Sequence, residues 1–524
     1  MLGILALAIL SETGLVNPDL LAWPMAILNA SFMILALAAV RGYVLKATLL
    51  CCAAAITITV IWQIPLRTVI ETFNRSASII AFITVVPIVI IPIREGGYMG
   101  AMSAFLANST PGSAPNSTPG STPGSAPGSA PGSAPGSVKG SAPGSIKGIG
   151  QAISSFMMLA GLHLLMSMVL NIGSIPIMQR LLDKAALPKR YLSLVYATGY
   201  SAYIVLSPFD GIVNALILAA GTSYAGYAGH GLTMAAAIMA SACLLMIVRT
   251  ISGRHQHGQP EQPVHGVTTD AATADSTWPA AVADLPAAAV SPPAAVADLP
   301  AAAADLPAAV ADLPSPGRKI LDLSLHILAM TICAVLFGRF IQLRNPAMGT
   351  AAVILVYTAI WIRLLGIPWA AVRQNGREYA MTLASYRAFL PFLVSAAFLG
   401  AMAAWTPLKA TIALVLASVD ILPRYVAIQA IILGTAFLGL LGVHMMITVS
   451  AIAGALDPAA LDLSAPAFAQ LLLTCWFVTM NVASIAPFTT IVGEAIGEKP
   501  VVVALRYNLP LALMMLVLAP AIIR

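Results

Sequence analysis

Two stretches of the chain carry the same chemistry-bearing residues in the same order. The first reads Gly161-Leu-His163-Leu-Leu-Met-Ser167 and then Ser207-Pro208-Phe209-Asp210-Gly211-Ile212-Val213. The second reads Gly442-Val-His444-Met-Met-Ile-Thr448 and then Ala486-Pro487-Phe488-Thr489-Thr490-Ile491-Val492. Histidine precedes proline by 45 residues in one stretch and 43 in the other. Each histidine stands four residues before a hydroxyl, so on a helix the two share a face. An unperturbed imidazole titrates at about pH 6.5, and in a membrane such a group can bind a solute or relay protons. The plain alternative is a hydrogen-bonded structural histidine at the interface of the two stretches.

Both Pro-Phe motifs interrupt apolar runs. Proline removes an amide donor and clashes with the preceding turn, so each run must break or kink there. Backbone freed at membrane depth is tolerable only where it faces protein or a wet cavity. The flanking residues are polar: Ser207, Asp210 and Asn214 in one stretch, Ser484, Thr489, Thr490 and Glu494 in the other. Such breaks can bind an ion or small anion at helix ends. They can equally be kinks whose polar groups satisfy one another. Asp210 directly follows its break and can coordinate a cation or cap the next helix. Glu494, near Gly493 and Gly497, fits the membrane edge, and Asn171 near Gly173 and Pro176 suggests another bend or a re-entrant turn.

The elements that must position these groups follow from composition. Of 524 residues, 59% are hydrophobic and 9% charged, with a mean hydropathy of +0.90. A soluble chain needs about 25% charged residues to face water. The apolar residues come in blocks of membrane-spanning length, so lipid is the solvent. Spans are expected at about 22–40, 44–62, 77–93, 151–171, 191–219 (interrupted), 231–249, 319–340, 347–363, 387–405, 425–446, 467–496 (interrupted) and 502–522. The fold class is an all-α polytopic membrane protein. About 10–12 crossings are expected, in two related, inverted halves with broken helices and re-entrant hairpins.

The net charge of +6 does not indicate nucleic-acid binding. Basic residues sit singly or in pairs between apolar blocks, as at Arg94, Lys189–Arg190, Arg249 with Arg254, Arg318–Lys319 and Arg373 with Arg377, the pattern of orientation anchors. The five cysteines all lie in apolar segments without metal-ligand spacing, so no metal or cofactor is expected. Met1–Leu10 has no basic lead and no cleavage site, which argues against a cleaved leader.

Residues 108–149 repeat Ala-Pro-Gly-Ser, and 253–317 contain Ala-Ala-Val-Ala-Asp-Leu-Pro heptads. Neither can bury a core, and both are expected to be disordered linkers. Outside them the helices fall into four blocks, 1–107, 150–252, 318–424 and 425–524 with the last span. Bracketing basic residues place the second linker in the cytoplasm.

These histidine helices, Ser/Ala-Pro-Phe breaks and two-half layout resemble the ion-transporter superfamily of arsenite exporters, sodium–proton antiporters, and citrate and dicarboxylate carriers. The resemblance implies a scaffold and a mobile transport domain with two re-entrant hairpins and two broken helices, here 151–219 and 425–496. It implies first- and second-half scaffold helices in 1–107 and 318–424, and first- and second-half transport helices in 150–252 and 425–524. The Ser-Asn-Thr hairpin motifs of the carboxylate carriers are absent, so neither sodium coupling nor a carboxylate substrate follows. An uncharacterised branch is implied.

The expected function is secondary active transport of a small ion or organic solute, and no enzyme activity is expected. The expected site comprises His163, Ser167, Ser207, Pro208, Asp210, Asn214, His444, Thr448, Ser484, Pro487, Thr489 and Thr490. Expected partners are the bilayer of a bacterial cytoplasmic membrane, the solute and a coupling proton or sodium; a homodimer is admitted. No Walker sequence supports ATP-driven transport. The competing classes are an intramembrane enzyme using His163, His444 and Asp210, which lacks any compact ligand spacing, and a membrane anchor or assembly protein, in which duplicated breaks would have no task.

Overall fold

The computed structural model describes residues 18–38, 40, 42–109, 146–182, 187–252, 315–341, 346–386, 390–407, 410–411 and 424–523. Nearly all of both predicted linkers and the Met1–Leu10 stretch lie outside these residues. The described residues are 87% helical, with no strand among them. The chain is an all-α, multi-pass membrane protein.

Before the first linker come α1 (Pro18–Leu37), α2 (Gly42–Ile61), α3 (Leu66–Val85) and α4 (Tyr98–Ser109). Between α3 and α4 a 3₁₀ turn at Val86–Val89 leads into a short helix at Ile90–Glu95. The expected span at 77–93 is therefore displaced. Helix α3 begins eleven residues earlier because Arg67, Glu71 and Arg75, too polar for a hydropathy-based span, are accommodated on its first turns. Arg67 and Glu71 pair at 2.9 Å on an exposed face.

Next come α5 (Ile146–Leu170), α6 (Ser174–Leu182), α7 (Lys189–Leu206), α8 (Gly211–Ala219) and α9 (Tyr224–Ser252). After the second linker follow α10 (Pro316–Phe340), α11 (Pro346–Leu364), α12 (Trp369–Tyr386) and α13 (Leu390–Ala403). The chain ends with α14 (Arg424–Leu440), α15 (Met445–Ala455), α16 (Ala465–Val482), α17 (Pro487–Ile496) and α18 (Pro500–Ile522).

Among the described residues, six helical segments are long and apolar enough to cross a bilayer, and the α7–α8 pair, bent by 49°, makes a seventh. Five shorter apolar helices accompany them. The outer helices expose large apolar side chains, such as Leu35 (76%), Leu66 and Phe340. That is the surface expected of a protein solvated by lipid. The α16–α17 stretch is different, with most of its residues buried. It is the axis of the bundle.

Two runs of helices, α5–α8 and α14–α17, are interrupted in the same pattern. Helix α5 breaks at Asn171–Gly173 before α6, and α7 breaks at Ser207–Asp210 before α8. In the second half α14 breaks at 441–444 before α15, and α16 breaks at 483–486 before α17. The break at 441–444 divides the span expected at 425–446. Gly442 takes φ 95° there, a left-handed conformation that a side chain would oppose. Packing between the halves is reciprocal: α6 lies against α17 and α8 against α15, while α7 and α16 cross each other directly. Helix α5 packs on α7 as α14 packs on α16.

Candidate functional site

The first Pro-Phe break is satisfied on every side. Asp210 is the N-cap of α8, with Oδ1 accepting from the amides of Ile212 at 2.7 Å and Val213 at 3.2 Å. Its Oδ2 accepts from the Tyr203 hydroxyl at 2.9 Å and from Asn171 Nδ2 at 3.2 Å. A carboxylate has about four lone-pair positions, and here four donors occupy them. Of the two roles open to it from sequence, Asp210 takes the cap.

The remaining backbone is covered with equal care. Ser207 Oγ accepts from the Phe209 amide at 3.0 Å. Asn214 Nδ2 donates to the carbonyls of Pro208 and Asp210, at 2.8 and 2.9 Å. The last carbonyls of α7, on Val205 and Leu206, accept from the hydroxyls of Tyr227 (2.8 Å) and Tyr224 (2.5 Å) on α9. Pro208 itself contributes the interruption rather than a ligand.

Asn171 joins this break to the one before it. It adopts φ 52°, a conformation asparagine tolerates better than most residues. Its Oδ1 accepts from the Tyr200 hydroxyl and the Ile172 amide, both at 2.7 Å. Its carbonyl accepts from Ser174 Oγ at 2.7 Å. Ser174 in turn lies 3.1 Å from His163 Nε2 and 2.9 Å from Ser167 Oγ. His163 and Ser167 therefore share a face, as their spacing requires, and both are fully buried. Close approach of α5 and α7 at Gly199 presses the imidazole against α7, where a methyl group would come within 2.8 Å of Nδ1.

The second Pro-Phe break has no such network. Helix α17 starts at Pro487, and no side chain caps its N terminus. Thr489 Oγ1 donates to the carbonyls of Ala483 (2.7 Å) and Ala486 (3.0 Å), and Thr490 Oγ1 to that of Ala486 at 3.1 Å. Ser484 is half-buried in the turn, and Glu494 is exposed near the far end of α17. Gly442, in the other second-half break, faces Ile485 across a distance that a Cβ would reduce to 3.7 Å.

The two histidines are not structural counterparts. His163 is inside α5, whereas His444 is the N-cap of α15, its Nδ1 accepting from the Met446 amide at 3.1 Å. Thr448 Oγ1 donates to the carbonyls of Met445 (3.2 Å) and His444 (3.4 Å), and the imidazole meets Phe392 edge-on at 4.7 Å. In chain order, the break that answers to the 441–444 turn is the one at Asn171–Gly173, ahead of Ser174.

An aromatic contact connects the halves. The Tyr200 ring, held by Asn171, stacks on Phe488 at 5.2 Å and 10°, immediately after Pro487. Sequence reading overlooked Tyr200, Tyr203 and Ser174, because one tyrosine or serine in an apolar helix carries no distinctive spacing. The placing of Tyr200 and Tyr203 one turn apart, shortly before Asp210, was the available clue.

Among the described residues, no three His, Cys, Asp or Glu side chains converge as metal ligands would. No protein-family model and no curated protein matches the chain.

Proposed function

We propose that this protein is a secondary active transporter for a small ion or polar organic solute, built from two inverted repeats. Residues 146–252 and 424–523 would be related by a pseudo-two-fold axis between α7 and α16. The observation that carries this reading is the reciprocal packing of the four short helices that follow breaks, α6 on α17 and α8 on α15. Exchanging the halves exchanges these contacts. Carriers commonly place their sites where discontinuous helices of two repeats meet, and the resemblance to the ion-transporter superfamily points to the same arrangement.

Within this reading the two breaks have different tasks. The Asp210 network positions the first break. The uncapped turn at 483–486, with Ser484, Thr489 and Thr490, offers groups able to exchange partners with a solute. Tyr200 and Phe488 stand between them.

Flux measurements in proteoliposomes test the proposal, using a panel of small ions and organic solutes under imposed proton or sodium gradients. Gradient-driven uptake is expected from the intact protein, with loss in Ser484→Leu and His444→Ala at unchanged protein incorporation. Flux no greater than in empty liposomes, or equal in all variants, would remove the reading or its site.

A further inference from the structure

At one end of the bundle, three helices bring positive charge to one tyrosine. Arg249, in the last turn of α9, donates from Nη2 to the Tyr507 carbonyl at 3.2 Å, and its Nη1, a buried atom, has no acceptor among the described residues. Arg190, in the first turn of α7, places its guanidinium carbon 6.0 Å from the centre of the Tyr507 ring. Neither guanidinium has a carboxylate within ion-pair distance among the described residues.

The carboxylate nearest to them is already engaged. Glu498 lies 3.6 Å from Lys189 Nζ and accepts from the Tyr507 hydroxyl at 3.4 Å. Lys189 also donates to the Gly497 carbonyl at 2.6 Å. Lys499, Arg506 and Glu494 flank the group and are exposed. Among the described residues, only Lys189 of these cations has a carboxylate within ion-pair distance, and the two arginines meet at Tyr507 without one.

The backbone beneath is also irregular. Tyr507 belongs to a π-helical turn, Val503–Asn508. Pro510 cannot supply the amide that the Arg506 carbonyl would take in an α-helix, so the turn widens there. Like charges gathered at one residue repel, and an anion between them would screen that repulsion. Both arginines sit at the ends of spans, at the depth where lipid phosphates lie. A guanidinium fork matches a phosphate in shape and charge.

We infer that Arg190 and Arg249 together bind a phosphate-bearing anion, the headgroup of an anionic phospholipid. This does not depend on whether the protein transports.

The test uses the full chain in nanodiscs of phosphatidylcholine with a minor fraction of phosphatidylglycerol. Native mass spectrometry reads the ratio of the two lipids retained on the protein. Retained lipid is expected to be enriched in phosphatidylglycerol. Arg190→Gln and Arg249→Gln should each reduce the enrichment about fivefold, with a smaller loss in Arg190→Lys, which keeps the charge without the fork. A second arm adds inorganic phosphate to discs of phosphatidylcholine alone and follows the unfolding temperature. No shift is expected; a shift abolished by Arg190→Gln would instead assign the site to a soluble phosphate and overturn the lipid. Arg190 is exposed, so its replacement leaves folding intact even where Arg249→Gln does not. Equal enrichment in the wild type and Arg190→Gln, with no response to phosphate, overturns the site.

Discussion

After Leu206 the chain leaves its helix under close control: a carboxylate, two asparagines, a serine and three tyrosines account for the amides and carbonyls that the turn exposes. After Val482 a less deeply buried turn relies on two threonines folding back on carbonyls three to six residues away, and the next helix starts uncapped. The first arrangement is cooperative, since each member fixes the orientation of the next, and losing one orphans several buried groups. The second is local, and each hydroxyl can release its carbonyl without stranding a charge. The first break is thus closed by side chains drawn from several elements, and the second by hydroxyls of its own next helix.

Asp210→Ala should expose this difference most strongly. It leaves four donors without an acceptor and should cost about 3 kcal/mol or more, read as the midpoint of denaturant unfolding in detergent. Asp210→Asn keeps an acceptor for the two amides but turns a donor toward Tyr203 and Asn171, and should recover only part of the loss. A midpoint for Asp210→Ala within error of the wild type would end the comparison.

Gly454→Ala probes how the second half is held instead. A Cβ there would stand 1.7 Å from the Gly400 carbonyl, where α15 crosses α13. The helices must separate, at a cost of about 1–3 kcal/mol. If thermal unfolding is unchanged, α15 is not held by close backbone contact.

Tyr200→Phe removes the bond to Asn171 while keeping the ring on Phe488, and should cost about 1 kcal/mol. Phe488→Leu removes the stack and keeps the bond, again at about 1 kcal/mol. A double-mutant cycle is expected to return a coupling between them, because the bond orients the ring that stacks. Strict additivity would mean that the two halves are not linked through this pair.

Thr490→Val should be the mildest change, below about 0.5 kcal/mol, since the hydroxyl serves one carbonyl that already accepts a backbone amide. A loss as large as that of Tyr200→Phe would show the second break to be as tightly built as the first.

The lipid-facing nature of the chain, most of its spans and both Pro-Phe breaks were legible in the sequence, because hydropathy and proline act locally. Asp210 as a cap was one of two readings open from its place after Pro208. The break at 441–444 was hidden inside an apolar run, because a glycine's left-handed φ leaves no mark on hydropathy. The matched histidines misled in one respect: His163 and His444 share a motif yet occupy different structural positions.

What the sequence by itself determined is where the backbone must be interrupted, since proline forbids a helical hydrogen bond whatever surrounds it. Which interruption is tied to other helices and which is closed by its own neighbours was decided by tertiary structure alone. Asn171, Tyr203, Tyr224 and Tyr227 reach the first break from turns and helices up to 39 residues away from Asp210 in the chain. Only packing brings such donors within bonding distance.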